Sequence, residues 1–228
     1  MRFLLAGMIL VQAAPAQSEA DKLEAALKKF GNRTYQFLVE GKKVGTRTLK
    51  TAIIEETDRK VAVFEVKDTA GGKQTGTVVE NADLRGLRLL YVKVTTSMKT
   101  KGDENTLTVE GLKATMRLPK VEPMIIDVTA KTIGEEALLR LVCAAEQKEG
   151  AVLKFDLLTW GIPQVEEGRT LKCEGKTQVE IGGKKFDAYL WTGKDPVLDS
   201  TYKYWVSPEG YLLRWFESDK IEYVLESK

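Results

Sequence analysis

A two-residue alternation of side chains runs through most of this 228-residue chain and constrains its fold more than any other feature. Between Thr34 and Lys131, strand-like segments alternate with turns such as Gly71-Gly72 and Gly102-Asp103, and the pattern resumes after Ala151. Short connections make successive strands antiparallel neighbours, so the sequence predicts a meander. After a first strand around Tyr35–Val39, the predicted strands are Val44–Glu56, Lys60–Lys67, Gln74–Glu80, Arg88–Thr96, Asn105–Val109, Lys113–Leu118, Met124–Thr129, Ala151–Leu158, Thr170–Ile181, Lys184–Trp191, Thr201–Val206, Tyr211–Glu217 and Ile221–Leu225.

Two segments have helical spacing instead. Ser18–Lys29 starts with a serine that can cap a helix, and Gly31 follows it where a C-cap glycine belongs. Ile133–Glu146 has acids in its first turn and an apolar stripe at about 100° per residue. We interpret the first segment either as a lid or docking helix or as a helix packed on the sheet edge.

Several predicted strands are apolar on both faces, so the second face must be covered. In Arg88–Thr96, Leu89 and Tyr91 point to one side, whereas Val92 and Val94 point to the other. A sheet with one face in water would alternate more cleanly. The cover is a helix, a second sheet or a ligand, and Ile133–Glu146 is the candidate helix. The predicted fold class is therefore β-dominated (α+β), with the second helix on the concave side of the sheet.

The N-terminus predicts export. Met1-Arg2 supplies a positive charge, Phe3–Val11 is apolar, and Ala14-Pro15-Ala16 has small residues where a signal peptidase cleaves. This apolar run is far shorter than the roughly 20 residues of a transmembrane helix, and no later segment approaches that length. We expect a signal peptide over residues 1–16 and a single β-rich domain over residues 17–228. The mature chain would have no transmembrane segment and would be periplasmic or extracellular.

Composition argues against several classes of function. The chain has no histidine, the commonest general base and transition-metal ligand. Its 35 basic and 33 acidic residues are interspersed, which does not favour nucleic-acid binding. The pairs Glu55-Glu56, Glu135-Glu136 and Glu166-Glu167 lack the separated, facing arrangement of acid–base catalysis, and no phosphate or calcium motif is present. We therefore predict a protein that is not an enzyme, with no catalytic residue, cofactor or metal ligand.

The two cysteines, Cys143 and Cys173, leave two alternatives open. In an oxidising compartment they can form a disulfide, which would stabilise the fold by about 3–4 kcal/mol. The alternative is a pair of free thiols. In that case we expect Cys143 to be accessible, because it lies opposite the apolar stripe of its helix.

Aromatic residues concentrate near the C-terminus and have two interpretations. They form either a ligand-binding surface or pairs that fill the core across neighbouring strands. The residues concerned are Tyr189, Trp191, Tyr202, Tyr204, Trp205, Tyr211, Trp215 and Tyr223. Trp160 is different because it lies in a break flanked by glycine and proline, and we expect it near the mouth of a cavity.

From Ile133 onward, the order of motifs resembles a family of exported bacterial domains of unknown function. The resemblance rests on the helix with Glu135-Glu136 and Leu138-Leu139, then Glu149-Gly150, residues 179–189 (VEIGGKKFDAY) and residues 204–214 (YWVSPEGYLLR). It extends over roughly residues 34–226 and implies a strongly curved antiparallel sheet or half-open β-barrel. That architecture is distantly similar to the LolA/LolB-type lipoprotein carriers, which hold acyl chains between a curved sheet and covering helices.

Three functional hypotheses follow. The leading one is an exported, non-enzymatic binding or carrier module for an apolar ligand (lipid or lipoprotein acyl chain), with Leu138, Leu141 and Val142 lining the sheet-facing side and Trp160 near an opening. An interior solidly filled by side chains would contradict it. The second is a structural or interaction protein of the cell envelope, which predicts a filled core and an exposed apolar patch or edge strand. The third is a hydrolase, which predicts a polar cleft with a perturbed titratable group. The oligomeric state stays open.

Overall fold

A computed structural model describes residues 18–96, 104–159, 164–194, 201–218 and 220–226. Within these residues lie two helices, α1 (Glu19–Phe30) and α2 (Glu135–Ala144). The strands are β1 (Arg33–Val39), β2 (Lys42–Glu55), β3 (Lys60–Ala70), β4 (Lys73–Asp83), β5 (Arg88–Thr96), β6 (Asn105–Glu110), β7 (Lys113–Arg117), β8 (Met124–Asp127), β9 (Thr132–Gly134), β10 (Val152–Leu158), β11 (Val165–Ile181), β12 (Lys184–Lys194), β13 (Thr201–Val206), β14 (Leu212–Phe216) and β15 (Ile221–Leu225). No described helix is long and apolar enough to cross a membrane.

All described strands belong to one sheet, in the order β8-β7-β6-β5-β4-β3-β2-β1-β15-β14-β13-β12-β11-β10-β9. The chain builds one antiparallel meander from β1 to β8 and a second from β10 back to β15. Pairing of β1 with β15 joins the two meanders at the centre of the sheet. This architecture confirms the predicted β-dominated fold class with two helices.

One pair of strands departs from the predicted antiparallel pattern. Strand β9 runs parallel to β10, with Ile133 opposite Leu157. The sequence analysis assigned Ile133 to the start of the second helix, which was wrong, because Thr132–Gly134 joins the sheet before α2 begins. The chain then passes through α2 and returns into β10, and such a helical crossover makes the two strands parallel.

The sheet curves strongly enough to bring its β9 end back against its own middle. Strand β9 packs against β4 and β5, which lie far from it in the strand order. Register shifts interrupt several ladders, including those at Asn81/Ala82, Phe155/Leu157 and Cys173/Gly175. Bulges of this kind bend a strand and increase its twist. The result is the curved, half-open barrel that the family resemblance implied.

Both helices cover the concave face. Helix α2 contacts β4, β9, β10 and β13, strands from distant parts of the sheet, so it lies inside the curve as predicted. Helix α1 begins after Ser18, whose hydroxyl accepts a hydrogen bond from the N–H of Asp21 over 3.1 Å. It packs on α2 and on β2. Because α1 covers its outer side, α2 is buried on most of its surface.

Four of the eight C-terminal aromatic residues, Trp191, Tyr204, Trp215 and Tyr223, are buried in the core, as one of the two interpretations predicted, and the other four are half-buried. Trp215 stacks on Tyr223 with 4.4 Å between ring centroids, and its other neighbour, Tyr35, meets it edge-on at 4.8 Å. Phe37 stacks on Tyr223 at 5.2 Å. These rings lie on adjacent strands, where cross-strand aromatic pairs stabilise a sheet.

Candidate functional site

Helix α2 begins without a side-chain cap of its own, and a carboxyl group from the sheet takes that role. Gly134 stands at the N-cap. The N–H groups of Glu136 and Ala137 donate hydrogen bonds to the carboxyl oxygens of Glu80 on β4, over 3.2 and 2.9 Å. A Cβ at position 134 would lie 2.2 Å from Oε2 of Glu80, so any other residue there would displace the capping carboxyl group. Glu80 therefore accepts hydrogen bonds from N–H groups that have no partner within the helix, and it fixes the start of α2 to the sheet.

Arg140 fastens the middle of α2. Its side chain is fully buried, and its guanidinium donates hydrogen bonds to Oε2 of Glu136 over 2.7 Å and to the Glu136 carbonyl over 3.0 Å. The same group lies 4.9 and 4.8 Å from the ring centroids of Phe30 and Phe64. Helix α1, helix α2 and strand β3 therefore meet around one buried ion pair.

Two small interior cavities lie beside further charged residues, Arg47, Glu135 and Glu217. Arg47 donates to both carboxylate oxygens of Asp68, over 2.8 and 3.0 Å, and the Tyr223 hydroxyl donates to Glu217 over 3.0 Å. Cavities of about 150 and 70 Å³ adjoin these charged groups. The remaining wall of the larger cavity is apolar and consists of Val78, Leu89, Val92, Leu107 and Leu158.

Burial is the main reason why the pKa values of Glu80 and Glu135 rise from 4.5 to about 8. The charge of Glu136 raises the pKa of Glu80 further, whereas the N–H groups of α2 oppose the rise. The charge of Glu217 adds to the rise at Glu135. Both carboxyl groups therefore favour the protonated form at neutral pH. Carboxyl groups with raised pKa values are one feature that the hydrolase hypothesis predicted. However, Glu80 is engaged in capping α2, and the cavity of about 150 Å³ is smaller than typical ligand pockets of about 300–1,000 Å³.

A larger concavity lies on the other side of α2, between the two helices. This interhelical groove has a volume of about 650 Å³. Its apolar wall consists of Ala20 and Leu23 from α1 and Leu141, Ala144 and Ala145 from the end of α2. Its rim is charged and consists of Glu19, Lys22 and the turn Arg85-Gly86. Its size falls within the usual range for ligand pockets.

The structure separates the residues that the sequence placed in one ligand site. Leu138 is buried and lines the smaller interior cavity, whereas Leu141 lines the interhelical groove. Val142 is fully buried in the core between them. Trp160 lies outside the described residues. A ligand contact by any of these residues stays a prediction.

Both cysteines are free and buried in the structure. The expectation that a free Cys143 would be accessible is wrong, because only 6% of the residue is exposed. The surface opposite the apolar stripe of α2 is covered by α1 and by the turn at Gly210, where a Cβ would lie 2.8 Å from the Cys143 carbonyl oxygen. Burial raises the pKa of the Cys143 thiol to about 12, although the nearby charge of Arg140 opposes this effect.

Sequence reasoning missed the charged residues that organise the interior, although the alternation contained a signal for two of them. Glu80 stands in phase with the inward-facing Val78 and Ala82, and Arg47 stands in phase with the buried Leu49. A charged residue at an inward position needs a buried partner. The partners of Glu80 are backbone groups of a helix that begins 55 residues later, and nothing in the local sequence indicates them.

These features define the class of protein by its fold: a strongly curved, largely antiparallel sheet whose concave face is covered by two helices. No family model matches the chain, and no curated protein is a detectable relative. Among solved structures, the chain is similar to a β-barrel-like protein of a domain of unknown function, DUF1849, from Brucella abortus. The TM-score is 0.50 at 10% identity, over 86% of this chain and 95% of that one. The hypothetical lipoprotein YmcC from Escherichia coli matches with a TM-score of 0.33 at 14% identity, over 92% of this chain and 97% of that one. The first similarity confirms the β-barrel-like fold predicted from the resemblance.

Proposed function

We propose that this protein is an exported, non-enzymatic binding module that holds one apolar chain of a lipid or lipoprotein in the interhelical groove. The observation that carries the proposal is the volume of that groove, about 650 Å³, beside an apolar wall built from both helices. The interior of the curved sheet is a less suitable place for the chain, since its cavities measure only about 150 and 70 Å³. The site therefore differs from the sheet-facing one expected from the sequence.

The side chains around the groove support an amphiphilic ligand. Leu23 of α1 and Leu141 of α2 both line the groove, together with the small side chains of Ala144 and Ala145. Burying an apolar chain there is favourable by about 25 cal/mol per Å² of apolar surface removed from water. Lys22 and Arg85 at the rim are exposed cations that would remain in water beside a polar headgroup.

The test is a binding measurement with dodecanoate, a single-chain probe, on protein purified without detergent. Native mass spectrometry should first show any molecule that purifies with the chain, and calorimetric titration should then give one dodecanoate per chain. Ala144→Trp should fill the groove and weaken binding at least about tenfold, which corresponds to about 1.4 kcal/mol.

The matched control is Ile54→Trp, which adds the same indole at an exposed position of β2 outside the groove. This variant should bind dodecanoate as the unmodified chain does. An unmodified protein that purifies empty and does not bind dodecanoate would contradict the proposal. Equal affinity of Ala144→Trp and the unmodified chain would move the site away from the groove.

A further inference from the structure

The two edge strands of the sheet, β9 and β8, differ in how far they are covered by the rest of the protein. Strand β9 is fully buried over its three residues, and it packs against β4 and β5. Strand β8 pairs with β7 on one side and has no neighbouring strand on the other among the described residues. An unpaired edge offers backbone donors and acceptors to another chain.

The exposed apolar side chains of the described residues also concentrate at the β8 edge. Ile125, Leu112 and Val121 are the three most exposed large apolar residues, at 70%, 57% and 53%. Ile125 lies within β8, and Val121 lies in the connection that precedes it. Leu112 lies in the turn between β6 and β7, and its carbonyl accepts a hydrogen bond from the N–H of Val128, just after the end of β8. Isolated exposed residues need no explanation, but apolar residues gathered along an open edge mark a contact surface.

The register of β8 shows which of its peptide groups point outwards. The N–H of Val128 donates to the Leu112 carbonyl over 3.1 Å, so Ile126 and Met124 also direct their peptide groups towards β7. Ile125 and Asp127 therefore direct their N–H and C=O groups away from the sheet. These two residues flank Ile126 symmetrically.

We infer that β8 pairs antiparallel with β8 of a second copy of this chain, about a two-fold axis at Ile126. In this register, Ile125 of each copy exchanges both peptide hydrogen bonds with Asp127 of the other. The two Ile126 side chains then meet on the inner face, where the apolar cluster of β5–β8 ends. The two Ile125 side chains become diagonal neighbours on the outer face, within reach of each other.

The charges along the edge favour this register over its neighbours. Asp127 forms an ion pair with Lys113 of its own chain. Its charge is therefore compensated when the register places Ile125 of the second copy opposite it. Shifting the axis to Asp127 would place two carboxylates opposite each other, which is unfavourable. Shifting it to Ile125 would place Asp127 opposite Pro123, which has no N–H to donate. Of these three registers, only the one centred on Ile126 is favourable. The contact is isologous, because both copies contribute the same strand.

The experiment is sedimentation velocity of the full mature chain over a concentration series, combined with cysteine cross-linking. Ile126→Cys should form a disulfide-linked dimer on mild oxidation, because directly opposite, non-hydrogen-bonded residues have Cα atoms about 4.5 Å apart. Ile54→Cys on β2 is the matched control and should stay monomeric under the same conditions. Because both native cysteines are buried, they should not contribute.

Ile125→Lys should abolish the concentration-dependent dimer. It should not change the melting temperature measured at concentrations where the unmodified chain is monomeric, since Ile125 is the most exposed of these residues. A protein that sediments as a monomer at every concentration, with no cross-link through Ile126→Cys, would overturn the inference. A dimer that survives Ile125→Lys would also overturn it, because its interface would lie elsewhere. Neither result depends on dodecanoate binding.

Discussion

The first two turns of helix α2 and the groove at its end differ in almost every physical respect. The first two turns are fixed by Glu80 and by the buried pair of Glu136 and Arg140. On its outer side the helix ends in Leu141, Ala144 and Ala145, which leave a groove of about 650 Å³ against α1. On its inner side, the described residues line cavities of about 150 and 70 Å³.

This difference indicates that the charged residues of the interior serve to hold the helix in place. A buried ion pair contributes little net stability compared with an apolar replacement, but it is costly to break. Fixing the first two turns of α2 with charged groups leaves small apolar residues at its end that can adjoin a ligand. Mutations in the interior should therefore change stability, whereas mutations in the groove should change ligand affinity.

The largest expected effect is at the buried ion pair, on replacing Arg140. Arg140→Met should lower the free energy of unfolding by about 3–5 kcal/mol, because it leaves the buried carboxylate of Glu136 without its partner. The double variant Glu136→Leu/Arg140→Met should recover most of this loss, since both charges are then absent. Urea denaturation of the three proteins would measure both effects. A small loss in the single variant would show that water reaches this pair.

The same kind of change on the outer side should have little effect on stability. Ala144→Trp should change the free energy of unfolding by less than about 0.5 kcal/mol, the usual range for substitutions away from the core. Its effect should appear in dodecanoate affinity instead. Strong destabilisation by this variant would mean that the groove closes in solution, and the comparison between the two sides would then fail.

A third expected effect is the pH dependence of stability that arises from Glu135. Its pKa is raised in the folded state, from 4.5 to about 8, so the folded protein binds the proton more tightly than the unfolded chain does. Its ionisation therefore lowers stability progressively as the pH rises from about 4.5 to about 8, and the penalty stays constant above that range.

Glu135→Gln removes this penalty and should be more stable than the unmodified protein by a few kcal/mol at pH 8.5, with little difference at pH 4. Glu180→Gln, at an exposed position of β11, is the control and should show no such trend. Thermal melts across the pH range would measure the difference. A constant difference at every pH would show that Glu135 titrates normally.

Most of the fold could be predicted from the sequence because its information is local. The alternation in segments such as Arg88–Thr96 and Thr201–Val206 gave strands whose bounds the structure reproduces. Strand β9 could not be predicted in this way, since three residues are too few to show a period. The pairing of β1 with β15 joins the two ends of the chain and leaves no local signal.

The candidate site was less predictable than the fold because its parts come from distant segments. The apolar stripe predicted a covering helix correctly, but it could not show that α1 would lie on the outer side of α2. That placement makes Cys143 buried and puts Leu138 and Leu141 in separate concavities. Glu80 and α2 meet only after the sheet has curved, so their contact depends on tertiary structure alone.

A crystal structure of the protein with dodecanoate bound is the most direct test of the groove as the ligand site. We expect electron density for the alkyl chain between α1 and α2, in contact with Leu23 and Leu141, with the interior around Glu80 and Arg140 unchanged. Density for the chain between α2 and strands β4–β6, with Arg140 displaced from Glu136, would contradict it. That result would return the ligand site to the concave interior expected from the sequence.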